Sequence, residues 1–236
     1  MKRERVIIRN NKNEKLIGYF YRNTSKTLLV VCHGLDPVNG FPGVEEIFEI
    51  YYESGVSIFS FDFSGHGESE GKKNLSLKQR IVEIGNIIDY FSAEYDEIIL
   101  YGVSLGGITV AIASLKFRKI KKIITVNGFF SFNPRHSNFF QICALGSFLL
   151  IHPVYWSELY YWWRNFQLGE ITVPALVVYG EKDTDVNPRQ SIYFYSGLRS
   201  KKKLLPVAGG DHALMGADVR AAAQLVKEWI QENVVY

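Results

Sequence analysis

Residues 98–107 read Ile98-Ile99-Leu100-Tyr101-Gly102-Val103-Ser104-Leu105-Gly106-Gly107, and this stretch decides how the rest of the chain is interpreted. It begins with an apolar run, as in a buried strand, and the small and apolar residues at 108–113 are typical of a helix packed on a sheet. The first two glycines lack a Cβ where the chain must reverse direction, and the third lets the helix approach the sheet closely. The stretch therefore predicts a strand, a tight turn centred on Ser104 and a helix.

A serine in such a turn is suited to act as a nucleophile, because its hydroxyl projects beyond the end of the strand. The N–H of Leu105, first in the helix, points toward the group that this oxygen attacks. The spacing matches the G-x-S-x-G pattern of a nucleophile elbow. Short patterns of common residues also arise by chance, so the strand before Ser104 and the helix after it are what favour the catalytic interpretation.

The composition indicates one large soluble domain over residues 1–236. Hydrophobic residues make up 47% of the chain and charged residues 22%, which is enough for a core that is stable without disulfides or metals. Cys32 and Cys143 lie far apart without a metal-binding spacing, so we expect buried thiols and no metal site. The net charge is only +3, and the scattered basic residues argue against a nucleic-acid partner.

The N-terminal pattern predicts neither a signal peptide nor a membrane span. Residues 1–5 are charged, but only three apolar residues follow them, too few for the core of a signal peptide. Nowhere does an apolar run approach the roughly 18 residues of a spanning helix. We therefore expect a cytoplasmic protein without stable membrane insertion, and the sequence indicates no particular oligomeric state.

Strands and helices alternate along the chain, which predicts an α/β architecture: a doubly wound, mostly parallel sheet with helices on both faces. The first two strands flank the polar turn 10–13 and should form an antiparallel hairpin at one edge of the sheet. Ser76 and Gln79 have the spacing of a capping box, which predicts the start of a helix. The eight expected strands are 6–9, 16–21, 27–32, 56–61, 98–101, 122–126, 174–179 and 203–207.

The alternation breaks over about 129–169, a segment that is dense in aromatic side chains and long enough for two or three helices. An excursion after the sixth strand leaves the sheet at the carboxyl ends of the strands, above Ser104. We therefore expect an inserted helical lid here, with Phe140 and Trp162 lining a substrate pocket. An aromatic lid favours acyl or aromatic substrates over sugars and highly charged ones.

A neutral serine is a poor nucleophile, so Ser104 needs a histidine to take its proton and a carboxylate to hold that histidine in the right tautomer. Reactive groups of a doubly wound sheet gather at the carboxyl ends of its strands. His212 follows the last expected strand in a glycine-containing loop and is the predicted base. Asp183 follows the preceding strand and is the predicted acid, while Asp185 is the competing candidate.

The order of the serine, the acid and the histidine along the chain is that of the α/β-hydrolases, and the sequence resembles this superfamily over nearly its whole length. Within the superfamily it is similar to the serine aminopeptidase-like and monoacylglycerol lipase-like branch. The pair His33-Gly34 after the third strand resembles the family's H-G turn. The resemblance implies that the N–H groups of Leu35 and Leu105 form an oxyanion hole.

Residues 62–69 read DFSGHGES and resemble the family's D-x-x-G-x-G-x-S loop, which is usually structural. We therefore expect Asp62 and His66, like His33, to support turns beside the site by hydrogen bonding. The sequence departs from the family in the expected lid, which matches no assignable pattern. It also departs at Asp211, where many relatives have a small residue before the histidine.

Together these residues predict a serine hydrolase that cleaves carboxylic esters of a small-molecule acyl substrate through an acyl-enzyme, without a cofactor. Ser104 attacks, His212 transfers the proton and Asp183 orients His212. The same triad would serve thioester, peptide, carbon–carbon bond or peracid chemistry, because the lid selects the substrate. A non-catalytic ligand-binding protein and a scaffold protein with an apolar lid surface are the remaining alternatives.

Overall fold

The computed structural model describes residues 1–37, 39, 43–73, 76–131, 133–136, 157–158, 161, 164, 166–215 and 218–232. The strands are β1 (Glu4–Arg9), β2 (Lys15–Tyr21), β3 (Thr27–Cys32), β4 (Ser57–Phe61), β5 (Glu97–Val103), β6 (Ile120–Val126), β7 (Ala175–Gly180) and β8 (Lys202–Val207). The helices are α1 (Val44–Tyr52), α2 (Leu77–Phe91), α3 (Leu105–Lys116), α4 (Arg189–Gly197) and α5 (Val219–Gln231). Short 3₁₀ turns lie at Pro134–His136 and Leu168–Glu170.

The strands form one eight-stranded sheet in the spatial order β1-β2-β4-β3-β5-β6-β7-β8. Strand β2 pairs antiparallel with both β1 and β4, and the five other neighbouring pairs are parallel. The predicted mostly parallel sheet with an N-terminal hairpin is therefore confirmed. Because β3 to β8 run in the same direction, the loops that follow them all begin at one edge of the sheet.

Apolar side chains cover the sheet on both faces. On β3, Leu28 and Val30 belong to one core and Leu29 and Val31 to the other, and each is at most 1% exposed. Helices α2, α3 and α4 supply partners on the first face, and α1 and α5 supply them on the second. This two-sided burial explains why β3 is apolar without alternation.

Helix α2 begins where the capping-box spacing predicts. The Oγ of Ser76 accepts a hydrogen bond from the N–H of Gln79 at 3.2 Å. This start places Arg80 on the face of the helix that packs toward the sheet, and the side chain is 1% exposed. Charged residues are rarely buried unless their charge is paired or hydrogen-bonded.

Most of the expected lid lies outside the described residues, and so do Phe140, Trp162 and Cys143. Cys32 is buried in the core, as expected, and its burial raises the pKa of the thiol. Within the described ranges, no helix combines the length and the apolar character needed to cross a membrane.

A buried lysine joins the sheet to the last helix. Lys122 lies on β6 and is 8% exposed. Its Nζ donates hydrogen bonds to the carbonyl oxygens of Trp229, Ile230 and Glu232 at 3.0, 2.9 and 2.5 Å. The last carbonyls of a helix have no N–H donor within the helix. This ammonium group donates hydrogen bonds to them, and its positive charge complements the helix dipole of α5.

We expect Lys122→Met to lower the free energy of unfolding by about 2 kcal/mol, because it removes a charged donor from buried carbonyls. Chemical denaturation followed by circular dichroism measures the change. Lys12→Met, at an exposed position of the β1–β2 turn, is the control and should leave the midpoint unchanged. An unaltered midpoint for Lys122→Met would show that these hydrogen bonds do not stabilise the docking of α5.

Candidate active site

Ser104 occupies a strained turn between β5 and α3. Its φ of 54° and ψ of −118° lie outside the regions that residues with a side chain ordinarily adopt. The Ser104 N–H donates to the carbonyl of Val126 at 2.9 Å, and the Ser104 carbonyl accepts from the N–H groups of Gly107 at 2.9 Å and Phe129 at 3.2 Å. The surrounding backbone therefore holds the serine in a conformation of the kind that is stored at functional sites.

Close contacts explain the glycines around Ser104. A Cβ on Gly102 would lie 2.3 Å from the carbonyl oxygen of Gly106, and a Cβ on Gly106 would lie 2.2 Å from that of Cys32. A Cβ on Gly34 would lie 2.8 Å from the Cβ of Ser104 and 3.3 Å from its Oγ. The turn after β3 is therefore packed directly against the serine.

His212 and Asp183 form a hydrogen-bonded pair. The distance from His212 Nδ1 to Asp183 Oδ2 is 2.8 Å, and because a carboxylate can only accept, Nδ1 carries the proton. The side chain of Asp183 is 1% exposed, whereas that of His212 is 27% exposed. The Oδ1 of Asp183 accepts from the backbone N–H groups of Asp185 at 2.9 Å and Val186 at 2.8 Å. Asp183 is thus fixed by its own turn, to which Asp185 contributes a backbone donor.

The charges around His212 favour its protonated form. Burial lowers the pKa of His212, but the hydrogen bond and the charge of Asp183, together with the charges of Asp185 and Asp211, outweigh it and raise the pKa above its ordinary value. Only the neutral imidazole can take a proton from a serine. The fraction of His212 that is ready to act as a base therefore increases as the pH rises through this raised pKa.

Asp211 organises the loop that carries His212. Its Oδ1 accepts hydrogen bonds from the backbone N–H groups of Ala213 at 2.9 Å and Met215 at 2.8 Å. The N–H of Asp211 donates to the carbonyl of Met215 at 3.2 Å, so the loop closes on itself. The residue that departs from the family pattern therefore has a structural role in this chain, in addition to its negative charge.

Asn127 supports the site, and the sequence reasoning missed it. It follows β6 directly, has a φ of 49° and is 1% exposed. Its Nδ2 donates to the carbonyls of Asp211 at 3.2 Å and His212 at 2.8 Å, and its Oδ1 accepts from the N–H of Gly180 at 2.8 Å. Asn127 therefore joins the histidine loop to the end of β7, which leads into Asp183. An asparagine followed by glycine at the end of a strand was the available signal, because that pair favours positive φ.

His33 supports the turn after β3, as expected. Its Nε2 accepts from the N–H of Phe63 at 3.0 Å, so the proton is on Nδ1, which donates to the carbonyl of Gly34 at 3.0 Å. The imidazole is fully buried. Burial, followed by the charge of Arg80, lowers the pKa of His33 well below its ordinary value, and the ring is therefore neutral.

Asp62 and His66 hold the neighbouring loop after β4. The Asp62 carboxylate accepts from the Asn39 amide at 3.1 Å and from the Glu68 N–H at 3.3 Å. The Nδ1 of His66 lies 3.1 Å from the carbonyl oxygen of Ser64. These contacts agree with the structural role that the loop pattern predicts.

Arg80 reaches the same turn from α2 and is a second residue that the sequence reasoning missed. Its Nη1 donates to the carbonyl of His33 at 2.8 Å, and its Nη2 donates to the carbonyl of Gly34 at 2.7 Å. The available signal was a single basic residue within the apolar face of the helix, between Leu77 and Ile81.

The two residues expected to supply the oxyanion hole directly follow Ser104 and Gly34 in the chain, and the turn of Gly34 packs against Ser104. Leu105 is the first residue of α3 and is buried, and the first N–H groups of a helix have no acceptor within it. Leu35 follows Gly34 and is 39% exposed. Across the part of the chain that the structure describes, no three His, Cys, Asp or Glu side chains cluster as a metal site would require.

The family model described as serine aminopeptidase, S33, matches residues 23–158, which is more than half of the chain. This chain belongs to that family. A relative from Saccharomyces cerevisiae, named an uncharacterized membrane protein, is 28% identical over 197 residues, which cover 80% of this chain and 66% of that protein. The chain therefore spans no more than about 66% of the length of this curated relative.

Solved structures share the fold of this chain. DcsB in complex with its substrate analogue has a TM-score of 0.80 at 22% identity, covering 99% of this chain and 100% of DcsB. The monoacylglycerol lipase of Paleococcus ferrophilus has a TM-score of 0.69 at 17% identity, covering 98% of this chain and 99% of the lipase. At such identities the likeness concerns the fold alone. The predicted α/β-hydrolase fold and the predicted branch of the superfamily are both confirmed, and the family to which the chain belongs is one of hydrolases.

We expect Asp211→Asn to move the acidic limb of the pH–activity profile to lower pH. Both loop hydrogen bonds go to Oδ1, which asparagine retains, while the substitution removes one of the charges that raise the pKa of His212. With a lower pKa, the neutral imidazole persists at lower pH. The pH dependence of kcat/KM for an aryl ester measures the displacement.

The control for this experiment is Asp96→Asn. Asp96 is exposed and precedes β5, at the end of the strand opposite Ser104. Its profile should coincide with that of the unmodified protein. A limb that stays in place in Asp211→Asn, or moves equally in both variants, would show that Asp211 does not act on His212 through its charge.

Proposed function

We propose that this protein is a serine hydrolase that cleaves carboxylic esters with apolar or aromatic acyl groups through an acyl-enzyme. The observation that carries the proposal is the hydrogen bond from His212 Nδ1 to Asp183 Oδ2, at the sheet edge where Ser104 occupies its strained turn. Membership of a hydrolase family supports the class of reaction. The bond between acid and base matters most because it fixes the tautomer that a serine nucleophile needs.

In the proposed acylation step, the Oγ of Ser104 attacks the carbonyl carbon of the ester while His212 Nε2 takes the hydroxyl proton. The proton held on Nδ1 by Asp183 leaves the lone pair of Nε2 free for this transfer. The carbonyl oxygen becomes an oxyanion, which accepts hydrogen bonds from the N–H groups of Leu35 and Leu105. His212 then gives the proton to the alcohol oxygen as the carbon–oxygen bond breaks, and Ser104 is left acylated.

Deacylation repeats the sequence with water as the nucleophile. His212 takes a proton from the water, which attacks the acyl carbon, and the same N–H groups hold the second oxyanion. Collapse of this intermediate releases the carboxylic acid and returns the proton to Ser104. The proposed cycle converts one ester and one water molecule into an alcohol and a carboxylic acid, and it returns the protein to its starting state.

Apolar side chains beside the site favour an apolar acyl group. Leu35, next to Gly34, is 39% exposed, and Met215, in the loop of His212, is 59% exposed. Covering such surface with an apolar ligand is worth about 25 cal/mol for each Å² removed from water. The aromatic composition of the segment 129–169 favours the same kind of substrate.

The first test is the hydrolysis of p-nitrophenyl esters from acetate to laurate. We expect kcat/KM to rise as the acyl chain grows over the shorter members of the series, since each added methylene covers more apolar surface. Labelling by a fluorophosphonate probe, with the modified residue located by mass spectrometry, reports the nucleophile independently of the substrate. The proposal would be overturned if the unmodified protein cleaved none of the esters and was not labelled at Ser104.

An aminopeptidase activity is the second candidate, because the family description names it. The exposed carboxylates of Asp185 and Asp211 act on His212 and would attract the ammonium group of a peptide N-terminus. Aminoacyl p-nitroanilides with free and with acetylated amino groups separate the two functions. A clear preference for the free amine would favour the peptidase, whereas indifference to acetylation favours the esterase.

We expect Ser104→Ala to reduce turnover by several orders of magnitude, up to about 10⁶, by analogy with a serine protease triad. The fold should persist, because the backbone contacts that hold this turn do not involve Oγ. Ser114→Ala, on helix α3, removes a hydroxyl that donates to the carbonyl of Ala111 at 2.7 Å, and it serves as the control. Near-normal turnover by purified Ser104→Ala would remove the serine from the mechanism.

We expect Asp183→Asn to lower kcat by about 10⁴, the cost of leaving a triad histidine in the wrong tautomer. The asparagine Oδ1 can still accept the two backbone N–H groups, while its NH₂ group faces Nδ1 of His212 and demands an acceptor there. Asp185→Asn is the matched control, since Asp185 bonds to Asp183 through its backbone. A larger loss in Asp185→Asn than in Asp183→Asn would transfer the role of the acid to Asp185.

A further inference from the structure

Arg80 is a buried cation that takes no part in the proton transfers of the proposed mechanism. Its side chain is 1% exposed, and the guanidinium carbon lies 4.4 Å from the centroid of the Phe63 ring. Burying a charge is costly unless hydrogen bonds compensate for the water that is lost. The two compensating bonds described here go to consecutive carbonyls, those of His33 and Gly34, in the turn beside Ser104.

The carbonyl of Gly34 is held from two directions. Arg80 Nη2 donates to it at 2.7 Å, and His33 Nδ1 donates to it at 3.0 Å. The imidazole is itself fixed, because its Nε2 accepts from the N–H of Phe63 at 3.0 Å. The orientation of this one carbonyl is therefore determined by a charged donor on α2 and by a neutral donor within the turn.

The peptide bond passes this orientation on to the next N–H group. The unit between Gly34 and Leu35 is planar and trans, so its N–H points away from its C=O. A Cβ on Gly34 would lie 3.3 Å from the Oγ of Ser104, which places this peptide unit next to the attacking oxygen. When donors hold the Gly34 carbonyl in place, the Leu35 N–H is therefore held in the opposite direction within the same peptide plane.

We propose that Arg80 is a positioning residue for the oxyanion hole: by holding the carbonyls of His33 and Gly34, it aims and polarises the N–H of Leu35. Hydrogen bonds linked in a chain strengthen one another, so a guanidinium on the carbonyl makes the N–H of the same peptide a better donor. The inference rests on the proposed function, because an N–H directed at an oxyanion matters only where an acyl group reacts with Ser104.

A purely structural role would predict a different pattern of effects. If Arg80 only stabilised the fold, its loss would lower the free energy of unfolding and leave kcat of the folded protein unchanged. If it positions the Leu35 N–H, its loss weakens binding of the tetrahedral state more than binding of the ester, and kcat falls while KM is nearly constant.

The test compares Arg80→Met and Arg80→Lys with Lys122→Met as the matched control. Lys122 is likewise a buried cation that donates to consecutive backbone carbonyls, but it does so at α5, away from Ser104. Steady-state kinetics with an aryl ester gives kcat and KM, and inhibition by an alkyl boronic acid reports affinity for a tetrahedral adduct. Denaturation midpoints show whether each variant is folded under the assay conditions.

We expect Arg80→Met to lower kcat by about 10²-fold, at the lower end of the cost of losing an oxyanion donor, and to weaken boronate inhibition by a similar factor. Arg80→Lys should fall between Arg80→Met and the unmodified protein, since an ammonium group retains the charge but not the paired geometry. The acidic limb of the pH profile should not move, because His212 is untouched. Lys122→Met should be destabilised and retain normal kcat.

Unchanged kcat and boronate affinity in folded Arg80→Met would overturn the inference and leave the proposed function intact. If Arg80→Met does not fold, Arg80→Lys decides: a reduced kcat at unaltered KM and pH profile supports the role, and a normal kcat refutes it. Failure of the proposed function is recognised separately, by an unmodified protein that neither cleaves esters nor is labelled at Ser104.

Discussion

No side-chain atom fits between Gly106 and the carbonyl oxygen of Cys32, where a Cβ would come within 2.2 Å. This contact lets the first turn of α3 pack against the carboxyl end of β3, which is the neighbour of β5 in the sheet. It thereby sets the position of Ser104 relative to the turn containing Gly34. An alanine in place of Gly106 would have to push α3 away from the sheet, and every distance around the serine would change with it.

The remaining loops are tied to this centre through backbone hydrogen bonds and one amide side chain. The N–H of Ser104 bonds to the end of β6, and Asn127, the next residue after that strand, bonds to the end of β7 and to the loop after β8. The N–H of Lys182 also donates to the carbonyl of Gly210 at 2.8 Å, which links the turn of Asp183 to the loop of His212. Strands β5 to β8 therefore fix the positions of three loops, and backbone hydrogen bonds hold the turn of Asp183 against the loop of His212.

The sequence was sufficient for the parts of the molecule that local patterns encode. Apolar runs such as 27–32 located the strands, and the spacing around Ser104 located the turn, because each depends on neighbours in the chain. The end-of-strand rule brought Asp183 and His212 to the same edge, and the structure shows them in contact. Which strand neighbours which, by contrast, follows from packing between distant segments.

Arg80 and Asn127 could not be assigned in the same way. The side-chain hydrogen bonds described for Arg80 reach 46 and 47 residues along the chain, and those of Asn127 reach 53 to 85. Both side chains donate to backbone carbonyls, which every residue possesses. Because any residue type can supply a backbone carbonyl, hydrogen bonding to one does not restrict which residue occupies the partner position. No pattern in the sequence therefore pairs the donor with its acceptor. What the sequence does show is the anomaly itself: a cation on an apolar helix face and an asparagine at the end of a buried strand.

The buried charged side chains that contact His212 and the turn of Gly34 have opposite signs. Asp183 is negative and contacts His212, and Arg80 is positive and contacts the carbonyls of the turn that precedes Leu35. In the proposed reaction a positive charge develops on His212 and a negative charge on the substrate oxygen, whereas the bound ester and the neutral imidazole carry neither. Charges placed in this order stabilise the tetrahedral state more than the ground state, because their interaction grows only as the reaction separates charge.

Both charged groups are buried, so solvent screens this interaction less than it would screen a surface pair. Hydrogen bonds made during folding hold Asp183 and Arg80 in place, so their electrostatic field is already present before a substrate binds.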